Sequence, residues 1–487
     1  MSQKITDLEP KAVWKIFYEL TQIPRPSKKE GRAVGFVREY GKRLGLKTHV
    51  DDVGNVIIKK PATPGMEDLK GVILQSHLDM VPQKNSETIH DFEKDPIEAY
   101  VDGEWVKAKG TTLGSDNGIG VASILAILES GSIEHGPLEG LFTVDEETGM
   151  TGAFNLKSGL LDGEILINLD SEDEGELYIG CAGGVNTTGT LTFSKDTVPS
   201  NSKAFNLKLT GLKGGHSGLD IHLGRGNSNK LLNRFMYHAG KHYEMRLASI
   251  DGGSLRNAIP RESFATVTIP SAYEKEFINA VEKYQDIFRL EFGSVESDLK
   301  FIAMLAEVPD HLIDRDTQEK LFKAIYGIPN GVIRMSSDMP GIVETSTNLA
   351  IVHSGDQNIE ILSLLRSSVD SAKEDLTLTV QSILELAGAE VVHDGSYPGW
   401  KPDVNSPILA AMKKVYQNMF GKVPEVKVIH AGLECGIIGD VYKGMDMISF
   451  GPTIRFPHSP DEKVHTGSVE KFFDFLVETL KNIYEAV

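Results

Sequence analysis

The chain has 487 residues, enough for two or three domains, and its 40 % apolar and 24 % charged residues exclude a disordered chain. A formal net charge of −19 argues against a polyanionic partner such as nucleic acid. Two cysteines, Cys181 and Cys435, are too few for a disulfide framework and form no CxxC zinc site.

The opening MSQKITDLEP lacks the basic-then-apolar pattern of a signal peptide. Apolar stretches such as VASILAIL (121–128) are too short to span a bilayer, so the cytoplasm is the expected location. Residues 7–22 carry helical periodicity, with Asp7 as the expected N-cap and Pro10 tolerated near the start. IPRPS (23–27) ends that helix, and a second one over 29–44 closes at Gly45. VGNVIIKK (53–60) and GVILQSHLDM (71–80) read as strands, and GIGVASILAILES (118–130) as a helix. GLFTVDEE (140–147) and EILINLD (164–170) read as strands that turn acidic at their ends. Strands alternating with helices predict an α/β fold with parallel pairs.

The character changes after GCAGGVNTTGT (180–190), and strand-like and helical segments alternate with few catalytic-looking clusters until about 398. SYPGWKPDVNSP (396–407) reads as a linker. A helix (407–420), the strand VPEVKVIH (423–430) and ISFGPTI (448–454) follow. The expected organisation is a catalytic domain in two pieces, residues 1–185 and 399–487, interrupted by an inserted domain at 186–398.

Five acid or histidine clusters end apolar runs: His77 with Asp79, Asp116, Glu146 with Glu147, Asp170, and His458. In open α/β sheets, ligand sites lie beyond the carboxyl ends of the strands, so clusters distant in sequence can converge on one edge. Each alone has an ordinary reading, as a solvated loop acid, a turn aspartate or a histidine satisfied by hydrogen bonds. His77 and Asp79, two apart on a strand, point to one face, which suits a metal-binding imidazole and a carboxylate that orients its ring. Glu146 and Glu147, adjacent on an expected strand, diverge, so one can bind metal while the other handles a proton.

The run H-x-D, S-D-N-G, D-E-E-T-G, N-L-D-S-E and P-H-S-P-D-E resembles the M20-type metallopeptidases. FGPTIRFPHSPDE, IHAGLECG, CAGG and KGGHSGLDI are similar to their aminoacyl-histidine dipeptidase branch. The resemblance implies an α/β fold, a mixed and mostly parallel sheet flanked by helices, with an inserted α+β lid. It implies His77 and Asp170 on one metal, Glu147 and His458 on a second, and Asp116 bridging both. His465 competes with His458 for the last place. Asp79 would orient His77, and Glu146 would be the general base acting on water between the metals. His216, in GGHSG, would be the oxyanion donor. Asn257, Arg366 and the backbone at Gly432 would bind the substrate, Arg366 by gripping its carboxylate. The ligand set of imidazoles and carboxylates fits two Zn²⁺ ions, with Mn²⁺ or Co²⁺ also compatible. A cis Asp116–Asn117 peptide bond is a further expectation.

The implied activity is hydrolysis of dipeptides of the Xaa-His type, including β-alanyl-histidine. An N-acyl-amino-acid deacylase would share the metal core, and a non-catalytic binding protein would lack Glu146 or a ligand. In smaller-lid relatives the oxyanion histidine comes from a dimer partner, so a homodimer is an expectation here, alongside donation within one chain.

Overall fold

The apolar runs VILQSH, LEGLFT and ILIN become the centre of an eight-stranded sheet in the computed structural model, which describes residues 4–484. The strands lie in the order Lys47–Val50, Val56–Lys60, Leu138–Thr143, Val72–His77, Ile165–Asn168, Asp446–Ser449, Glu176–Cys181 and Glu425–Ile429. The middle four run parallel, and antiparallel partners flank them. Val72–His77 and Leu138–Thr143 are buried at every position, as expected of strands covered on both faces. The helix Ser115–Glu129 covers Val72–His77 and is itself buried almost throughout. Its other neighbour is Lys11–Thr21, which buries Trp14, Ile16, Phe17 and Leu20.

Two local expectations are corrected. Asp7 does not cap the first long helix; it ends a short 3₁₀ turn, Ile5–Asp7, and Pro10, which lacks an N–H, holds the N-cap place. The strand carrying GLFTVDEE stops at Thr143. Asp145 takes a left-handed φ of 52° and turns the chain, so Glu146 and Glu147 open a single helical turn, Glu146–Gly149.

The chain divides into two units. The first runs to Cys181 and resumes at Trp400–Val428 and from Leu433 onward. The second is Ala182–Gly399 with a short return, Ile429–Gly432.

A nine-stranded antiparallel sheet underlies the second unit, and eight of its strands repeat one pattern; the ninth, Gly331–Met335, pairs with Val343–Ser354. Strand Ser202–Thr210, helix Ser228–His242, strands Arg246–Gly252 and Ser263–Pro270, helix Glu274–Phe292 and strand Lys300–Ala306 form one βαββαβ half. Strand Gly183–Thr192, helix Arg315–Gly327, strands Val343–Ser354 and Asn358–Ser367, helix Asp370–Leu386 and strand Glu390–Tyr397 form the other. Both halves place their strands in the order fourth, first, third, second. They join where the two second strands pair, at Asp251 with His353 and Gly252 with Val352. The first half is therefore inserted after the first strand of the second. One apolar core serves both, with Phe235 against the rings of Phe277 and Phe301. Among the described residues no helix is long and apolar enough to cross a membrane.

Candidate functional site

Four parallel strands of the first unit end at one edge of its sheet, and the acid and histidine clusters follow those ends. His77 is the last residue of its strand, Asp170 lies two residues beyond Asn168, and Glu146 and Glu147 open the turn after Thr143. His458 follows Asp446–Ser449 in a loop, with a left-handed φ of 59°.

The two oxygens of Asp116 face two different groups. Oδ1 lies 3.1 Å from His77 Nε2, which is also 3.3 Å from Asp170 Oδ1. Oδ2 lies 3.3 Å from His458 Nε2, which is 2.9 Å from Glu147 Oε2. Ligands held about 2.0–2.2 Å from one small cation are spaced by about 3 Å, so each group has the dimensions of a coordination shell with Asp116 shared between them. The donor set is nitrogen and oxygen only, and Glu147 Oε1 is buried with no hydrogen-bond partner. Carboxylates outnumber imidazoles here, and burying that charge unneutralised would be severely unfavourable. The residues present therefore fit two divalent cations.

Electrostatics tell the same story. The bonds from Asp116 and Glu147 raise the pKa of His458 to about 11. Burial opposes charge on His77, but Asp170, Asp116 and Asp79 outweigh it and raise its pKa. Burial, then Asp170, Glu147 and Glu434, push Glu146 well above the usual carboxylate range, against the pull of His77. Glu146 is within 4.8 Å of His77 and Glu147.

Asp79 holds this arrangement together. Its Oδ1 is 3.3 Å from His77 Nδ1 and accepts the Glu146 N–H at 3.0 Å. Its Oδ2 accepts the Glu147 N–H at 3.2 Å and the Ser27 hydroxyl at 2.8 Å. Burial works against its charge, but these bonds and His77 bring its pKa to about 2.

Three buried charged residues escaped sequence reasoning. Glu462 accepts the N–H groups of Leu113, Gly114 and Ser115 and the Ser115 hydroxyl, fixing the loop that presents Asp116. Arg25 donates to the carbonyls of Leu78, Asp79 and Gly114, tying the His77 strand to that same loop. Gly114 has a φ of 70°, and a Cβ there would meet Arg25 Nη2 at 2.6 Å, so the close approach requires glycine. Glu434 accepts from Gln75 and Thr143 near His77 and Asp170, and burial raises its pKa to about 7. Glu462 was visible in the P-H-S-P-D-E run; Arg25 and Glu434 carried no signal beyond their motifs. The Asp116–Asn117 peptide is cis, and both residues depart from helical geometry. His465 lies outside the clusters: it caps helix Thr466–Lys481, accepting the Ser468 N–H, and stacks edge-on against Trp105.

His216, Asn257, Arg366 and Gly432 belong to the second unit. His216 Nδ1 accepts the N–H groups of Gly218 and Leu219 at 3.2 and 2.9 Å, which leaves the ring proton on Nε2. Burial, then Arg366, lowers its pKa. The Asn257 carbonyl accepts the Ser217 N–H at 2.8 Å, and its side chain is exposed. Arg366 is 4 % exposed and donates through Nη1 to the Tyr397 hydroxyl at 2.7 Å. Its Nε has no partner, and among the described residues no carboxylate lies within ion-pair distance of it. Gly432 is partly buried at the end of the Ile429–Gly432 return.

Comparison with known proteins adds an independent line. The chain is 47 % identical over 480 residues to the cytosol non-specific dipeptidase of Escherichia coli (strain K12), covering 99 % of each. The crystal structure of aminoacylhistidine dipeptidase from Vibrio alginolyticus superposes with a TM-score of 0.95 at 47 % identity, covering 100 % of this chain and 99 % of that one. Aminopeptidase PepT from Bacillus cereus, at 17 % identity and a TM-score of 0.62 over 98 % of this chain and 99 % of its own, shares the fold. The model of peptidase family M20/M25/M40 matches residues 73–482, and with these full-length likenesses it shows that the chain belongs to that family.

Proposed function

We propose that the chain is a cytoplasmic two-metal dipeptidase that hydrolyses Xaa-His substrates, including β-alanyl-histidine. The observation that carries this reading is the divided carboxylate of Asp116, each oxygen facing its own histidine and acid. His77 and Asp170 would hold one ion, Glu147 and His458 the other, and Asp116 both; Zn²⁺ suits this set, as do Mn²⁺ and Co²⁺. When bound, such ions supply Lewis acidity and make water nucleophilic at neutral pH.

The chain's own groups do the rest. Glu146, half-buried beside the ligands without serving as one, takes the water's proton and returns it to the leaving amine. Asp79 keeps His77 oriented and fixes the backbone of the glutamate pair. His216, with its proton on Nε2, donates to the oxyanion. Arg366 takes the peptide's terminal carboxylate, which would neutralise a buried cation that otherwise has no counter-ion. Asn257 and the Gly432 backbone complete the hold on the substrate. Names of the full-length relatives favour a dipeptidase over an N-acyl-amino-acid deacylase.

The test is release of histidine from β-alanyl-histidine, abolished by EDTA and restored by Zn²⁺, Mn²⁺ or Co²⁺, with metal content measured on the same sample. Preference for N-acetyl amino acids over a panel of dipeptides would overturn the dipeptidase reading.

A further inference from the structure

His430 lies in the short return Ile429–Gly432 and is 7 % exposed. Its Nε2 is 2.7 Å from the Ser346 hydroxyl, and its Nδ1 is buried with no partner. Ser346 sits directly opposite Arg366 on the neighbouring strand. Residues so paired share a face of the sheet with Cβ atoms about 5 Å apart, so His430 is held by the residue next to Arg366 and feels its charge. The return also presses on the loop that carries His216: a Cβ at Gly218 would lie 1.9 Å from the His430 carbonyl and 3.2 Å from His216 Cε1. His430 thus stands between the oxyanion donor and the carboxylate grip.

The ring proton has two seats. Among the described residues the Ser346 hydroxyl has no partner other than His430 Nε2. If the hydroxyl donates, Nδ1–H and the acceptor sites of the hydroxyl oxygen are left unmet; if Nε2–H donates, the hydroxyl proton and the Nδ1 lone pair are left unmet. The two arrangements cost alike, at about 1–3 kcal/mol for each unmet buried group, and an acceptor placed at Nδ1 selects the first. Burial, then Arg366, His216 and His222, lower the pKa of His430 to about 3, so the ring is neutral at ordinary pH. In the first arrangement Nδ1–H of His430 and Nε–H of Arg366 are both buried donors without acceptors.

We propose that His430 is a recognition residue that donates from Nδ1 to the substrate's terminal carboxylate, forming with Arg366 a two-residue grip. The inference rests on the dipeptidase reading and on Arg366 as the carboxylate site. A carboxylate has acceptors enough for both donors; a terminal amide presents one acceptor and a conflicting N–H pair.

The test uses the metal-loaded protein, with L-histidine and L-histidinamide as competitive inhibitors of β-alanyl-histidine hydrolysis. His430→Phe should raise the inhibition constant of histidine roughly tenfold, the loss of one hydrogen bond to a charged group, and that of histidinamide by less than about twofold. His430→Asn, whose amide N–H can stand near the Nδ1–H position, should keep discrimination within about threefold of the parent. Equal effects on both inhibitors, or discrimination lost as fully with Asn as with Phe, would overturn the proposal. If His430→Phe does not fold, Ser346→Ala replaces it: with its tether removed the ring can turn away, and discrimination should fall by at least about threefold; unchanged discrimination refutes the role. Arg366→Ala is measured in parallel. If it weakens both inhibitors equally, the carboxylate-grip reading fails; if it separates them and His430→Phe does not, only the role of His430 fails.

Discussion

Replacing Glu462 by alanine isolates the part played by a carboxylate that bonds only the loop presenting Asp116. It is 2 % exposed and accepts four hydrogen bonds of 2.9 Å or less, from the N–H groups of Leu113, Gly114 and Ser115 and from the Ser115 hydroxyl. A longer bond, 3.3 Å, comes from the Asp116 N–H. At about 1 kcal/mol net for each of the four shorter bonds, Glu462→Ala should destabilise the protein by about 4 kcal/mol. For a domain of ordinary size this lowers Tm by roughly 10 °C. Glu462→Gln keeps one oxygen and sets an NH₂ group against two donors, so it should also destabilise, though by less. Because the loop presents Asp116, and Asp116 faces both halves of the centre, the variant should lose affinity for both metals together. Thermal denaturation of the chelated protein gives the first quantity, and metal titration of the same sample gives the second. A variant that melts within about 2 °C of the parent and binds both metals with unchanged affinity would refute the reasoning.

Three further outcomes follow from the geometry. Glu146→Gln should retain both metals while kcat falls about a thousandfold or more, since the amide cannot accept the water's proton; near-normal turnover by the metal-loaded variant would remove Glu146 as the base. His216→Ala should lower kcat by about 10²–10³ with little change in KM and full metal content, the pattern of a donor that acts in the transition state; a change confined to KM would assign it to ground-state binding. His430 stays neutral in the folded protein down to about pH 3 but protonates near 6.5 when unfolded. Its contribution to stability is therefore complete above pH 6.5 and is lost as the pH falls from there towards 3, with a limiting slope of about 1.4 kcal/mol per pH unit. Denaturant titrations between pH 7 and 5 should show that excess slope in the parent and not in His430→Asn, and parallel curves would contradict it.

The catalytic half was legible because its chemistry follows strand ends. A strand that ends in His77, or one that runs into Asp170, announces itself by an apolar run turning polar. Glu146 and Glu147 were expected on a strand and lie on a helical turn instead, because the left-handed turn at Asp145 is a backbone event that no hydrophobic period reveals. Arg25 and Glu434 were invisible since their partners are backbone carbonyls and distant side chains, Leu78 and Gly114 for one, Gln75 and Thr143 for the other. The H-S-P-D-E context favoured His458 over His465, and the cap on Ser468 adds what His465 does instead. The doubled architecture of the second unit was unreadable for a different reason. Equivalent strands such as Ser263–Pro270 and Asn358–Ser367 share a place in the sheet and no residue pattern, and the halves are nested, so no fixed period runs along the chain.

That nesting has a consequence for how the chain matures. The first half is continuous from Ser202 to Ala306, so its strands find partners soon after they are made. Strand Gly183–Thr192 must wait for Asn358–Ser367 and Glu390–Tyr397, both more than a hundred residues downstream. Contacts so distant form slowly, and a strand with open edges is meanwhile a template for pairing with the wrong chain. Its sequence, GGVNTTGTLT, is poor in large apolar side chains: Val185 and Leu191 are the only aliphatic residues in ten positions. A nascent chain released early would thus expose an edge with little hydrophobic grip, and the strand that waits longest in this unit is one of the least adhesive.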